Sequence, residues 1–245
     1  MQKIILLMCL IATSVLAQTA EEIIRKAEDA VKGETAHGII EMTVVTPDYT
    51  REMRMESWWI GNEKALIVTE KPRKEAGNKT LKIGNEMWNY LKNTETTIKI
   101  PPSMMLQSWN GSDFTNDDLV RESNLIEDYD QQLAGTDTVQ GANCWKVELL
   151  PKPDAPVVWG KLLYWVRQQD FLPARVEYFD ESGELIRYLD YRDYQQMGDR
   201  KIPAKWVMHN VDKPRRRTEI RLVEMAFDVK IPDRIFSFRE LERGR

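Results

Sequence analysis

The stretch Met53–Ile60, MRMESWWI, followed by Gly61 and Asn62, decides the fold class. Alternate residues from Met53 to Trp59 would share one face of a strand, and Trp58 would lie on the other. The Gly-Asn pair is typical of a tight turn between two antiparallel strands. The stretch therefore predicts a β-hairpin with large apolar side chains on both faces.

Short alternating segments of this kind, separated by Gly, Asn and Pro turns, recur between residues 40 and 225. They predict about eleven strands, and no Gly- or Ser-rich linker or fixed-period repeat divides them. We therefore predict a mainly β fold: one curved antiparallel sheet forming an incomplete, half-open barrel, covered by a few helices.

The first 17 residues have the pattern of a secretory signal peptide, with Lys3, an apolar run and small residues before a cleavage point after Ala17. A single domain is predicted over 18–245. It would open with a helix, because Thr19 and Glu22 form a capping box ahead of apolar residues at helical spacing. Cys9 would leave with the signal peptide, so Cys144 would have no partner for an internal disulfide.

Composition limits the classes of function. The chain of 245 residues carries 35 basic and 39 acidic residues, a formal charge of -4. This balance gives no electrostatic footprint for nucleic acid, so we predict no nucleic-acid partner. No apolar run approaches the roughly 18 residues of a membrane-spanning helix.

The sequence offers no convincing catalytic or metal-binding constellation. The two histidines, His37 and His209, are scattered, and the nucleophile-elbow and zinc-ligand motifs are absent from the sequence. We therefore predict a protein that is not an enzyme, with no catalytic residue, no metal site and no cofactor.

Two charged clusters have both structural and functional interpretations. Asp113, Asp117 and Asp118 lack the spacing of a calcium-binding loop, and Thr115 with Asp118 forms a second capping box, which favours a cap and turn cluster. The basic run 213–217 suits either a solvated hairpin tip or a docking point for an acidic partner or anionic lipid.

Eight Trp and 11 Met residues are the most informative part of the composition. Composition alone favours a filled core, but the same side chains suit an apolar cavity for acyl chains, because Met adapts its shape and Trp provides flat walls. The candidate cavity residues, chosen for their clustering, are Met42, Met53, Met55, Trp59, Trp88, Tyr90, Met104, Met105, Leu106 and Trp109.

Five segments in order resemble the outer-membrane lipoprotein-sorting family of LolA-like proteins, in particular a subgroup paired with large membrane exporters. They are AEEIIRKAEDAVKG (20–33), SWNGSDFTNDDL (108–119), GANCWKVELLPK (141–152), FLPARVEYFDESGEL (171–185) and IPDRIFSFREL (231–241). The resemblance implies a half-barrel around a hydrophobic cavity, closed by helices.

The resemblance also implies a periplasmic carrier, working as a monomer, that takes lipid or lipoprotein acyl chains from an inner-membrane transporter to an outer-membrane acceptor. In such carriers a buried arginine holds the lid shut, and Arg51 or Arg54 lies in roughly the corresponding strand. The insertion NGSDFTNDD and the proline-containing loop 151–156 depart from the pattern, so the cargo can differ. The alternative is a non-catalytic accessory module of a membrane exporter or envelope assembly, without lipid cargo.

Overall fold

Thirteen antiparallel strands form one continuous sheet in a computed structural model, which describes residues 18–31, 33–121 and 125–243. The sheet is curved and does not close, so the predicted half-open architecture is confirmed, with thirteen strands where about eleven were predicted. The predicted signal peptide, residues 1–17, lies outside the described residues.

The strands are β1 (Thr35–Val45), β2 (Thr50–Ile60), β3 (Lys64–Lys71), β4 (Lys79–Ile83), β5 (Glu86–Leu91), β6 (Thr96–Lys99), β7 (Tyr129–Val139), β8 (Ala142–Pro151), β9 (Lys161–Arg167), β10 (Pro173–Phe179), β11 (Leu185–Met197), β12 (Arg200–Asn210) and β13 (Arg217–Phe227). The helices are α1 (Ala20–Val31), α2 (Asn116–Arg121), α3 (Leu125–Asp128) and α4 (Phe238–Glu242).

The strand order is β6-β5-β4-β3-β2-β1-β13-β12-β11-β10-β9-β8-β7. The first strand, β1, lies in the middle of the sheet. The next five strands build outward to β6, and the chain later returns from β7 at the opposite edge until β13 pairs with β1. Because β6 and β7 are consecutive in sequence but lie at opposite edges, the connection between them must cross one face. We call residues 100–121 and 125–128 the crossing segment and the face that it covers the inner face.

The main core lies on the inner face. Helix α1 packs there through Ile23, Ile24 and Ala27, all fully buried. Its predicted capping box is confirmed: the Glu22 N–H donates to Thr19 Oγ1 at 3.2 Å, and the Thr19 N–H donates to the Glu22 carboxylate at 3.1 Å. The helix therefore covers part of the apolar surface of the sheet.

A second core lies on the outer face of β2–β5. It is covered by residues 231–243, which we call the C-terminal strap and which carry Phe236 and Leu241 into this core. Lys79 Nζ fixes the strap by donating to the main-chain oxygens of Arg243, at 2.7 Å, and Glu240. The four strands β2–β5 are therefore covered on both faces, which accounts for the large side chains on both faces of the hairpin.

Candidate functional site

A cavity of about 280 Å³ lies between the inner face of the sheet, α1 and the crossing segment. Most of its lining is apolar, and aromatic rings form a large part of it. The aromatic lining residues are Trp59, Trp109, Phe114, Tyr129, Trp159, Tyr164, Tyr178, Tyr191, Trp206 and Phe227. Such a lining suits an apolar ligand.

Strand alternation places these side chains. Tyr164 on β9, Tyr178 on β10 and Tyr191 on β11 belong to neighbouring strands and point to the same face. The loop before β9 adds Val157 and Trp159, and the Trp159 ring meets the Tyr178 ring edge-on at 5.2 Å. One wall of the cavity is thus a continuous aromatic surface.

A few polar groups also line the cavity. Lys82 on β4 is 2% exposed, and its Nζ donates to the main-chain oxygen of Asn62 in the β2–β3 turn. Burial raises the pKa of Tyr129, and the nearby carboxylates of Asp128 and Asp117 raise it further. The Tyr129 hydroxyl therefore stays neutral around pH 7.

A buried ion pair fixes the crossing segment to the sheet. Arg187 on β11 donates through Nη1 to Asp118 Oδ2 at 2.8 Å and through Nη2 to Oδ1. Its guanidinium lies 4.6 Å from the Trp159 ring centroid and 4.5 Å from that of Tyr178. The pair thus links the sheet, α2 and the aromatic wall in one contact network.

Asp113 makes a second attachment. Its carboxylate accepts hydrogen bonds from Arg216 Nε at 2.6 Å, Asn210 Nδ2 at 2.7 Å and Thr218 Oγ1 at 2.7 Å. Arg216 comes from the basic run 213–217, so at least one of its cations fixes the crossing segment.

The predicted capping box at the start of α2 is also confirmed. The Asp118 N–H donates to Thr115 Oγ1 at 3.2 Å, and the Thr115 N–H donates to Asp118 Oδ2 at 2.7 Å. Asp118 thus serves as cap and ion-pair partner at once. Arg51 also contacts the crossing segment, through the Asn110 main-chain oxygen at 2.9 Å, whereas Arg54 pairs with Glu41 and Glu70.

The structure places the ten candidate cavity residues in several environments. Trp59 and Trp109 line the cavity. The other eight are absent from its lining: Met42, Met53 and Met55 in the main core, Trp88 and Tyr90 at the outer core, Met104 and Met105 in a small cluster with Met87, and Leu106 at the surface, 56% exposed. Lipid binding by these ten residues stays a prediction.

Sequence reasoning did not select the aromatic residues of the second half of the chain. Tyr164, Tyr178 and Tyr191 lie on alternating strands like those of the first half, and Trp159 follows the proline-containing loop. Alternation was a usable signal for their face. It could not indicate that the strands of both halves converge on one cavity.

Other candidate groups lie away from the cavity. His37 stacks on Trp58, at 5.0 Å between ring centroids, and contacts Glu56 at 3.0 Å. His209 stacks on Tyr188 at 4.6 Å. Within 18–31, 33–121 and 125–243, no group of three His, Cys, Asp or Glu side chains is placed to hold a metal ion. None of the helices in those ranges has the length and apolar character needed to span a bilayer.

Comparisons with known proteins agree on the fold. A DUF1329 family protein from Desulfovibrio piger superposes with a TM-score of 0.83 at 20% identity, covering 91% of this chain and 97% of that one. A LolA superfamily protein from Nitrosomonas europaea gives 0.77 at 23% identity, covering 92% and 100%. An outer membrane lipoprotein-sorting protein domain from Vibrio parahaemolyticus, described as putative, gives 0.78 at 22%, covering 91% and 98%.

The sequence comparisons add a family. No curated protein matches the chain. A family model described as "Uncharacterized protein" matches residues 61–243, three quarters of the chain. The resemblance to LolA-like proteins is confirmed in the fold. The chain therefore belongs to the family whose model matches residues 61–243, and it has the fold of the LolA superfamily and DUF1329 structures.

Proposed function

We propose that this protein is a non-catalytic carrier that binds the acyl chains of a lipid or lipoprotein in the cavity under the crossing segment. It works in the periplasm, after removal of residues 1–17, as a monomer between an inner-membrane transporter and an outer-membrane acceptor. The observation that carries the proposal is the aromatic cavity closed by a segment that two buried carboxylates, Asp113 and Asp118, attach to the sheet.

The energetics support an acyl ligand. Burying one CH₂ group contributes roughly 0.8 kcal/mol, so a long chain can bind through apolar contact alone. The volume of about 280 Å³ lies just below the roughly 300–1,000 Å³ typical of ligand pockets. We therefore expect the cavity to take one chain and to widen when the crossing segment moves.

Native mass spectrometry of protein purified from periplasm without detergent tests the proposal, with lipid analysis of a solvent extract of the same sample. We expect a stoichiometric acyl-chain species that a fluorescent fatty acid displaces. A clean apo mass, with no fatty-acid uptake and unchanged Trp emission, would contradict the carrier and favour the accessory-module alternative.

Two tryptophans on opposite faces provide a matched pair of variants. Trp59 lines the cavity, whereas Trp88 packs at the outer core against Phe238, at 5.1 Å between ring centroids. We expect Trp59→Glu to lose bound lipid and Trp88→Glu to retain it, with circular dichroism confirming that both fold. Equal lipid content in the two variants would place the ligand elsewhere.

A further inference from the structure

Lys82 is the one cationic residue among the described residues that line the cavity. It lies in an inward row of cross-strand neighbours with Trp59, Ala65 and Met87 on β2, β3 and β5. Its neighbours in that row are apolar. Lys82 therefore brings a hydrogen-bond donor into an otherwise apolar row of the wall, where hydrogen bonds are stronger than in water.

The Lys82 ammonium lies next to the β2–β3 turn, a part of the lining that contains an exposed residue. It donates to the Asn62 main-chain oxygen, and Asn62 follows Gly61, which is exposed and also lines the cavity. Val31 and Gly33, both half-buried, complete this rim. An amphiphile with its chain among the aromatic rings would therefore present its polar end close to Lys82.

The second buried lysine of β4 shows what a structural role looks like. Lys79 is 3% exposed, but it lies on the outer face and binds two main-chain oxygens of the C-terminal strap. Lys82 is as deeply buried and also binds a main-chain oxygen, that of Asn62, but it lines the cavity. Both lysines lie on β4 and are buried to a similar extent, but their side chains lie on opposite faces of the sheet.

Carboxylate side chains also line the cavity and would face a bound ligand. Asp118 pairs with Arg187, and Glu28 and Asp117 also line the cavity. A neutral headgroup could accept a hydrogen bond from Lys82 but would gain no charge–charge attraction. A carboxylate or phosphate would gain both, opposed by the negative charge of Glu28 and Asp117.

We propose that Lys82 binds the anionic headgroup, a carboxylate or a phosphate, of the amphiphile whose chain occupies the cavity. This inference rests on the proposed carrier function and narrows its cargo to lipids with an acidic headgroup at the rim between Gly33 and Asn62.

The test compares ligands that share one chain and differ in the headgroup: palmitate, hexadecyl phosphate and hexadecanol, each titrated calorimetrically into the full-length mature protein. We expect Lys82→Met to weaken binding of at least one acidic ligand by about tenfold, the scale of one lost charge-assisted hydrogen bond, and to leave hexadecanol within about twofold. The larger loss identifies carboxylate or phosphate as the preferred headgroup. Lys79→Met is the matched control, and it should shift all three ligands equally or not at all.

Asp117→Asn gives an independent readout if Lys82→Met fails to fold. Removing that negative charge should raise the affinity for the acidic ligands relative to hexadecanol. Unchanged ratios in both variants, or an equal loss for all three ligands in Lys82→Met, would overturn the role of Lys82 and leave the carrier intact. Failure of the wild-type protein to bind any of the three would instead count against the carrier function.

Discussion

Asp190 on β11 is a carboxylate that is only 1% exposed. Arg175 Nε and Arg192 Nη2 each donate to it at 2.8 Å. Burial by itself raises the pKa of this carboxyl, but the two guanidinium partners outweigh burial and hold the pKa below its usual value. Asp190 therefore stays ionised in the folded protein to lower pH than in the unfolded chain.

The depressed pKa of Asp190 fixes the sign of its contribution to stability. The stabilisation is complete above the unfolded value, near pH 4, and is lost as the pH falls through the lower folded value. We expect Asp190→Asn to lower the free energy of unfolding by about 1–3 kcal/mol near neutral pH, and the gap to wild type to narrow below about pH 4. Urea denaturation across this range measures it, with the exposed Asp130→Asn as control; a gap independent of pH would contradict the linkage.

The tryptophans show which parts of the site the sequence can and cannot predict. Adjacent residues of the opening hairpin, Trp58 and Trp59, were correctly predicted on opposite faces, because a strand alternates. Alternation does not say which face encloses a cavity. Trp88 could not be separated from Trp59 in the sequence, because the strap that covers its face comes about 145 residues later than the strand.

At the level of elements, we expect the crossing segment to be the part of the fold that opens. Its described residues contribute Trp109 and Phe114 to the lining of the cavity, and the Asp118–Arg187 pair attaches it to β11. Strands, turns and both capping boxes could be predicted locally. The partner of Asp118 could not, because Arg187 lies 69 positions away and only the strand order brings them together.

Releasing this attachment should affect stability and ligand exchange together. We expect Arg187→Met to lower the free energy of unfolding by about 3–5 kcal/mol, because it leaves a buried carboxylate without its partner. The dissociation of a fluorescent fatty acid, followed by stopped flow, should accelerate in the variant. Arg54→Met is the control: its pairs with Glu41 and Glu70 are more exposed, and each contributes about 0–1 kcal/mol. An unchanged dissociation rate would show that the crossing segment does not gate the cavity.

In the molecule as a whole, the sheet separates an apolar core on its outer face from an apolar cavity on its inner face. The outer core is filled by the C-terminal strap, with Leu241 fully buried and Phe236 5% exposed. The inner face keeps a cavity beside its core. The outer core stabilises β2, β3 and β4, three of the strands that line the cavity, and this helps the sheet to leave part of its inner face unfilled.

This division predicts that stability and lipid binding can be changed separately. Leu241→Ala should lower the free energy of unfolding by about 2–5 kcal/mol, as expected for a truncated buried leucine, while the affinity for a fatty acid stays within about twofold of wild type. Trp59→Ala should weaken lipid binding, because it removes a cavity wall. Chemical denaturation and fatty-acid titration of both variants measure the two effects. If Leu241→Ala weakened lipid binding as strongly as Trp59→Ala, the prediction would be wrong. The two faces would then act as one cooperative core, in which a change at the strap is transmitted through β4 to the cavity.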